Sequence, residues 1–234
     1  LAGKMINDGV TILDIGGLST RPGSAPVSVQ EETDRVLPVI EKIHAVYPQT
    51  ILSIDTYNSL VAKAAINAGA SIINDISAGN LDHDMLSTVA ALHTPYICMH
   101  MQGTPASMQK SPAYKNVVEE VLDFFIYKID ECTKAGIKDV IIDPGFGFGK
   151  TIEHNFQLLK NLAVLSVTGK AILAGLSRKS SIYKTLGVTV DEALNGTTVL
   201  NTMALLNGAS LLRVHDVKEA REAISLFNAY SKAP

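Results

Sequence analysis

Seven apolar runs recur along this chain. Each ends on a polar or ionisable residue, and each is followed by a loop that opens a helix. ILDIGG carries Asp14, ILSIDT carries Asp55, SIINDIS carries Asn74 and Asp75, and PYICMH ends at His100. DVIIDPGFGFGK turns at Asp143, AILAGLSRKS runs into Arg178 and Lys179, and SLLRVHD closes on Arg213 and His215. A parallel strand buried on both faces favours apolar residues along its length. A charged group at its carboxyl end costs desolvation unless it has a partner or a task there. When many such ends share one rim, that rim is where a β/α barrel keeps its active site.

The spacing predicts strands near 10–15, 50–55, 71–75, 95–100, 139–143, 171–175 and 210–214. It predicts helices near 1–9, 30–46, 57–69, 81–93, 113–135, 153–165, 191–207 and 216–230. Strand-then-helix alternation without hairpin signals specifies a parallel sheet with right-handed crossovers. Gly9, Gly69, Gly136 and Gly208 follow predicted helices, where a left-handed residue ends the last turn. Asp191 and Asp216 fit helix starts. No linker or low-complexity block interrupts the pattern, so residues 1–234 read as one domain. The count gives seven strands, and the chain opens on a helix. The expected architecture is an α/β (β/α)8 TIM barrel with its first strand and loop upstream of Leu1. The alternative is an open sheet of seven strands with two exposed edges, which native proteins avoid.

Composition narrows the function. A net charge of −3 over 234 residues gives no footprint for nucleic acid or a membrane surface. Any anion site must be built locally from a few placed cations. No apolar stretch reaches the roughly 18 residues needed to span a bilayer, and LAGKMINDGV does not read as a signal peptide. Cys98 and Cys132 read as reduced structural thiols, which points to a cytoplasmic setting.

Four segments carry chemistry. LSTRPGSAPVS (18–28) is a polar loop presenting the hydroxyl of Thr20 and the guanidinium of Arg21 beside Pro22. Arg suits paired oxygens on phosphate or carboxylate; a plain solvated loop is the alternative. DPGFGFGK (143–150) is no Walker loop, because Pro144 occupies the position where that pattern needs its first glycine. Its glycines allow backbone to close around a ligand, and Asp143 can accept two hydrogen bonds from an amino-substituted ring. Phe146 and Phe148 are core plugs or pocket walls. GLSRKSS (175–181) sets Arg178 and Lys179 before a helix start, and barrels often bind phosphate after their last two strands. In RVHDV (213–217), Arg213 and His215 share one side of an extended chain; read in isolation, they are better explained as a structural pair. Asp55, Asn74 and Asp143 therefore offer acceptors, while Arg21, Lys179, Arg213 and His215 offer positive donors. That segregation suits a ligand with a heterocycle at one end and anionic groups at the other. No H-E-x-x-H or paired C-x-x-C suggests a caged zinc.

DIGG with STRPG, SIDT, IINDIS, MHMQGTP, DPGFGFGK, SRKS and RVHDV occur in this order across the chain. In that combination the sequence closely resembles the dihydropteroate synthase family of pterin-binding enzymes, the folate-pathway target of sulfonamides. The resemblance implies a β/α barrel. It also implies displacement of diphosphate from 6-hydroxymethyl-7,8-dihydropterin diphosphate by 4-aminobenzoate, giving 7,8-dihydropteroate through an SN1-like step. Asp55, Asn74, Asp143 and Lys179 would contact the pterin. Thr20, Arg213 and His215 would contact the diphosphate, with Arg213 also against the pterin. Ser180 would receive the aminobenzoate carboxylate, and Pro22 and Phe148 would wall that pocket. Asp55, Lys179, Arg213 and His215 would be the catalytic set, with Mg2+ as cofactor and a homodimer as assembly. The family's metal-binding Asn lies on a strand upstream of Leu1, so no residue present is expected to ligate the metal. A protein that truly began at Leu1 would have weak activity or none. Leu18 departs from the family pattern with little expected effect. Two rival expectations are a methyltetrahydrofolate:corrinoid methyltransferase, which has no use for SRKS and RVHDV, and a non-catalytic pterin-binding scaffold, which would have lost the cations.

Overall fold

The computed structural model describes residues 1–19, 27–105, 107–108 and 111–234. A short helix, α1 (Ala2–Asn7), precedes the first strand. Then follow β1 (Ile12–Gly16), α2 (Val29–Val46), β2 (Ile51–Asp55), α3 (Ser59–Asn67), β3 (Ile72–Asp75), α4 (Met85–Leu92), β4 (Tyr96–Met99) and α5 (Val117–Ala135). The chain continues with β5 (Val140–Asp143), α6 (Ile152–Lys160), β6 (Ala171–Ala174), α7 (Ser180–Leu186), α8 (Leu194–Leu206), β7 (Leu211–Leu212) and α9 (Val217–Ser231). Each predicted strand is present within a residue or two of its bounds, except that β7 is only two residues long. The 3-10 turn Leu162–Thr168 splits off the end of the predicted 153–165 helix, and α7 supplies the helix start expected after GLSRKSS, for which no range was predicted.

All strand pairings are parallel and run in chain order from β1 to β7. Among the described residues no pairing joins β7 to β1. The seven strands match the count expected for residues 1–234, and they form a curled half-barrel rather than a closed eight-stranded barrel. The curl is tight, because Arg213, just past β7, reaches across to Asp14 on β1 at 2.6 Å.

Period-two alternation divides each strand between two cores. Outward residues Leu52, Ile54, Ile73, Tyr96, Cys98, Ile142, Ile172 and Ala174 pack against helices through Ile40, Val61, Phe125 and Leu158. Burying each such large side chain contributes about 1.5–3 kcal/mol. Inward residues Ile72, Ile97 and Leu173 form a second, smaller cluster with Ile12, Ile141 and Leu211. One step further along the same inward faces, at the carboxyl ends, the residues become Asp14, Asp55, Asn74, Asp143 and Gly175. The helices are held by polar caps: Asn58 on α3, Asn116 on α5 and Thr151, in a capping box with His154, on α6. The cap at Asn116 explains why α5 begins four residues after its predicted start at 113.

Candidate functional site

A cavity of about 350 Å3 opens on the carboxyl-end rim and runs down the slot between β7 and β1. Asn74, Lys179, Arg213 and His215 line it directly, together with Asp14, Ser53, Gly175 and Ser177. Its lower wall is the inward apolar layer of Ile12, Ile97, Leu173 and Leu211. Asp55 and Asp143 are not direct liners but adjoin it. Asp55 Oδ2 takes a 2.6 Å bond from Arg213 Nη2. A Cβ built on Gly175 would lie 3.7 Å from Lys179 Nζ, 3.8 Å from Arg213 Cβ and 3.9 Å from Asp143 Oδ2.

The acceptors share an electrostatic problem. Burial, then the charge of Asp14, pushes Asp55 up to about 7, against the pull of Arg213. Asp143 is likewise raised by burial, with Lys179 and the Gly145 N–H opposing. Gly145 N donates to Asp143 Oδ1 at 2.8 Å, which turns the 143–150 loop away from the strand end. Only glycine fits there: φ is +68° and a Cβ would sit 1.9 Å from the His100 carbonyl oxygen. Lys150, 3% exposed, fastens the same loop. It donates to Gly145 O at 3.0 Å and Phe148 O at 3.1 Å, and its Nζ lies 2.9 Å from His100 Nδ1. Burial lowers Lys150 to about 7 and His100 to about 2.

The cations are held rather than loose. Lys179 donates to Phe146 O and lies over the Phe148 ring, 4.9 Å from its centroid. Burial lowers it to about 8, partly offset by Asp143. Burial also works against the charge on Arg213, but Asp14 and Asp55 outweigh it and raise its pKa. The Ser177 hydroxyl lies 2.9 Å from His215 Nδ1 and accepts from His215 N at 3.2 Å, fixing the ring. Burial, then Arg213, lowers the pKa of His215. Ser180 is the first residue of α7, directly after Lys179 at the cap position.

The structure therefore brings Asp55, Asn74, Asp143, Lys179, Ser180, Arg213 and His215 to one rim. Phe148 stands beside Lys179, whereas Phe146 is fully buried and a core plug. Thr20, Arg21 and Pro22 lie outside the described residues. One expectation is corrected: Arg178 is not half of a cationic pair with Lys179. Its backbone is left-handed, with φ +53°. Its guanidinium turns to Asp216 through two 2.9 Å bonds. Asp216 does begin α9 but makes no side-chain cap bond. Adjacent residues in a turn need not face the same side, and a bidentate carboxylate partner decides the direction here. The sequence reading left three supports without a role: Asp14, Ser177 and Lys150. Asp14 was detectable, since it shares its strand face with Ile12. Among the described residues no three His, Cys, Asp or Glu side chains gather to hold a metal ion.

No helix among the described residues is long and apolar enough to cross a membrane. The family profile described as "Pterin binding enzyme" matches residues 1–215. The dihydropteroate synthase of Haemophilus influenzae is 44% identical over 232 residues, covering 98% of this chain and 84% of that protein. The Yersinia pestis dihydropteroate synthase, solved as a sulfonamide drug complex, superposes with a TM-score of 0.96 at 41% identity, covering 99% of this chain and 84% of that one. The Xanthomonas albilineans enzyme in complex with 7,8-dihydropteroate gives a TM-score of 0.90 at 38% identity, covering 100% of this chain and 84% of that one. With the profile matched over residues 1–215 and these identities spanning nearly the whole chain, this chain belongs to the pterin-binding enzymes of the dihydropteroate synthase family.

Proposed function

We propose that this protein condenses 6-hydroxymethyl-7,8-dihydropterin diphosphate with 4-aminobenzoate, giving 7,8-dihydropteroate and diphosphate in folate synthesis. The observation that carries the reading is that acceptors and cations gather around one cavity. Asn74, Lys179, Arg213 and His215 line it, Asp55 adjoins it through its ion pair with Arg213, and Asp143 lies by Lys179 across Gly175. The reaction is an aryl-amine alkylation, which makes the enzyme a transferase.

Asp143, Asn74 and Lys179 hold the ring through its amino, ring-nitrogen and carbonyl groups. Departure of the diphosphate breaks the methylene C–O bond, and the leaving oxygen keeps the electron pair. Positive charge develops on the methylene and spreads into the pterin, where the Asp55 carboxylate faces it. Arg213 and His215 take the negative charge on the diphosphate, a preorganised stabilisation that needs no reorganisation at the moment of reaction. Ser177 holds His215 by Nδ1 and so leaves Nε2 for a diphosphate oxygen. The arylamine then forms the new N–C bond and releases a proton. It is a weak base, so positioning matters more than deprotonation. Ser180 receives its carboxylate, and Phe148, with Pro22, walls its ring. Thr20 and Arg21 complete the anion side.

Magnesium enters this reading only as a companion of the diphosphate, and each step above is carried by the chain's own side chains. Residues 1–234 form a single pterin-binding domain built on the seven-stranded half-barrel. We place the enzyme in the cytoplasm as a homodimer. The exposed apolar side chains Val199, Met203, Leu206, Leu226 and Tyr230 on α8 and α9 support a subunit face there.

A coupled assay of diphosphate release tests the reaction. Release should require both substrates. Release from the pterin diphosphate that ignores 4-aminobenzoate would overturn the assignment.

A further inference from the structure

We infer that Asp14 is a positioning residue of the pterin site: its carboxylate decides which way the Asn74 amide and the Arg213 guanidinium face. The inference rests on the proposed function and adds a residue to it.

Asp14 stands on the inward face of β1, and its side chain is 17% exposed. Its Oδ2 accepts two hydrogen bonds, from Asn74 Nδ2 at 3.0 Å and from Arg213 Nε at 2.6 Å. An amide has a donor end and an acceptor end that a simple flip exchanges. With Nδ2 committed to a carboxylate, a flipped Asn74 would bring oxygen against oxygen. The acceptor end is therefore the one left for a ring N–H in the cavity. Arg213 is fixed in the same way, since its Nε bonds Asp14 on β1 and its Nη2 bonds Asp55 on β2. Two bonds to two strands set the guanidinium plane, which a single partner would leave free to rotate.

A second observation separates this from plain packing. Asp14 Oδ1 is buried with no partner among the described residues, and so is Oγ of Ser53, its register neighbour on β2. An unsatisfied buried carboxylate oxygen weakens a fold. An asparagine of the same shape would keep an acceptor but lose the charge that pairs with Arg213, so the acid at this position serves the cation of the site. Local violations of this kind belong at functional sites.

The test is a double-mutant cycle on the protein with Asp14→Asn and Asn74→Ala. It is read by calorimetric titration with 6-hydroxymethyl-7,8-dihydropterin diphosphate and by steady-state kinetics. Asp14→Asn should weaken that ligand about ten-fold and raise its KM similarly, while the KM for 4-aminobenzoate stays within about two-fold. In the Asn74→Ala background the same change should cost at least about three-fold less than in the wild type. Coupling of that size supports the role. Losses that simply multiply, wild-type affinity in Asp14→Asn, or equal losses for both substrates overturn it. If Asp14→Asn does not fold, Asp14→Ser carries the same cycle, and failure of both to fold overturns the role in favour of a structural one. Absence of ligand binding by the wild type would overturn the proposed function and this role together. Normal wild-type binding with an uncoupled cycle overturns the role alone.

Discussion

Asn74 and Asp75 are neighbours on β3 and face opposite sides of the sheet. Asp75 points outward, is fully buried, and has every acceptor filled. Oδ1 takes the N–H and hydroxyl of Ser77 at 2.7 Å each, and Oδ2 takes the Gly79 N–H and the Tyr96 hydroxyl, also at 2.7 Å. The inward set is left short. Asp14 Oδ1 and Ser53 Oγ have no partner among the described residues, and Asp143 Oδ1 has the Gly145 N–H. Polar groups on both faces are buried, so burial does not distinguish them; saturation does. A saturated cluster has spent its hydrogen bonds on the fold, while an unsaturated one keeps them for a ligand.

Four experiments would break or sharpen this contrast. The largest effect is expected at the saturated site. Asp75→Ala strands several buried donors and should destabilise the fold by about 3 kcal/mol or more, read by urea denaturation. Any activity that survives should keep a wild-type KM, and a raised KM without lost stability would erase the distinction. Next are Lys179→Ala and Arg213→Ala, each expected to lose at least ~100-fold in turnover. Near-wild-type rates in either would remove the cation from the chemistry.

Gly175→Ala is a cleaner probe. The glycine backbone there is not left-handed, and a Cβ meets its neighbours only at ordinary contact distances. Stability should hold. The methyl would sit among Lys179, Arg213 and Asp143, where the flat ring belongs, and should weaken the pterin substrate by ~10-fold or more. Unchanged affinity would show that the ring lies elsewhere.

The smallest effect is a pH trend in two measurements of opposite sign. Asp55 is held up to about 7 in the folded chain against an ordinary value of 3.8. The carboxylate is the form needed against the developing cation, so kcat/KM should fall as pH drops below about 7. Between about 4 and 7 the unfolded chain has given up this proton and the folded chain has not. Ligand-free stability attributable to Asp55 should therefore fall as pH rises through that window. Asp55→Asn should flatten both trends; a kcat/KM limb that persists in that variant belongs to another group.

Much of this was readable in one dimension. Strand positions followed from apolar runs of period two, and Asp55, Asn74, Asp143, Lys179, Arg213 and His215 were visible because each interrupts such a run at its carboxyl end. The start of the short helix α7 was readable after SRKS but its extent was not, since SRKSSIYKTL carries too few turns for a clear periodicity. Arg178 and Lys179 look alike in sequence and diverge only because Asp216, 38 positions away, claims one of them.

The chain on its own settled the alternation of elements, the rim that would carry the polar ends and the residue types gathered there, because burial on both faces of a parallel strand leaves a charged residue few places to go. What the folded structure alone decided is pairing across long sequence separations. Arg213 meets Asp14 and Asp55, Asn74 meets Asp14, and Lys150 meets His100. Those contacts depend on the curl of the sheet and on which side of a turn each side chain leaves. Neither is encoded in local pattern; both are set by the packing of the whole.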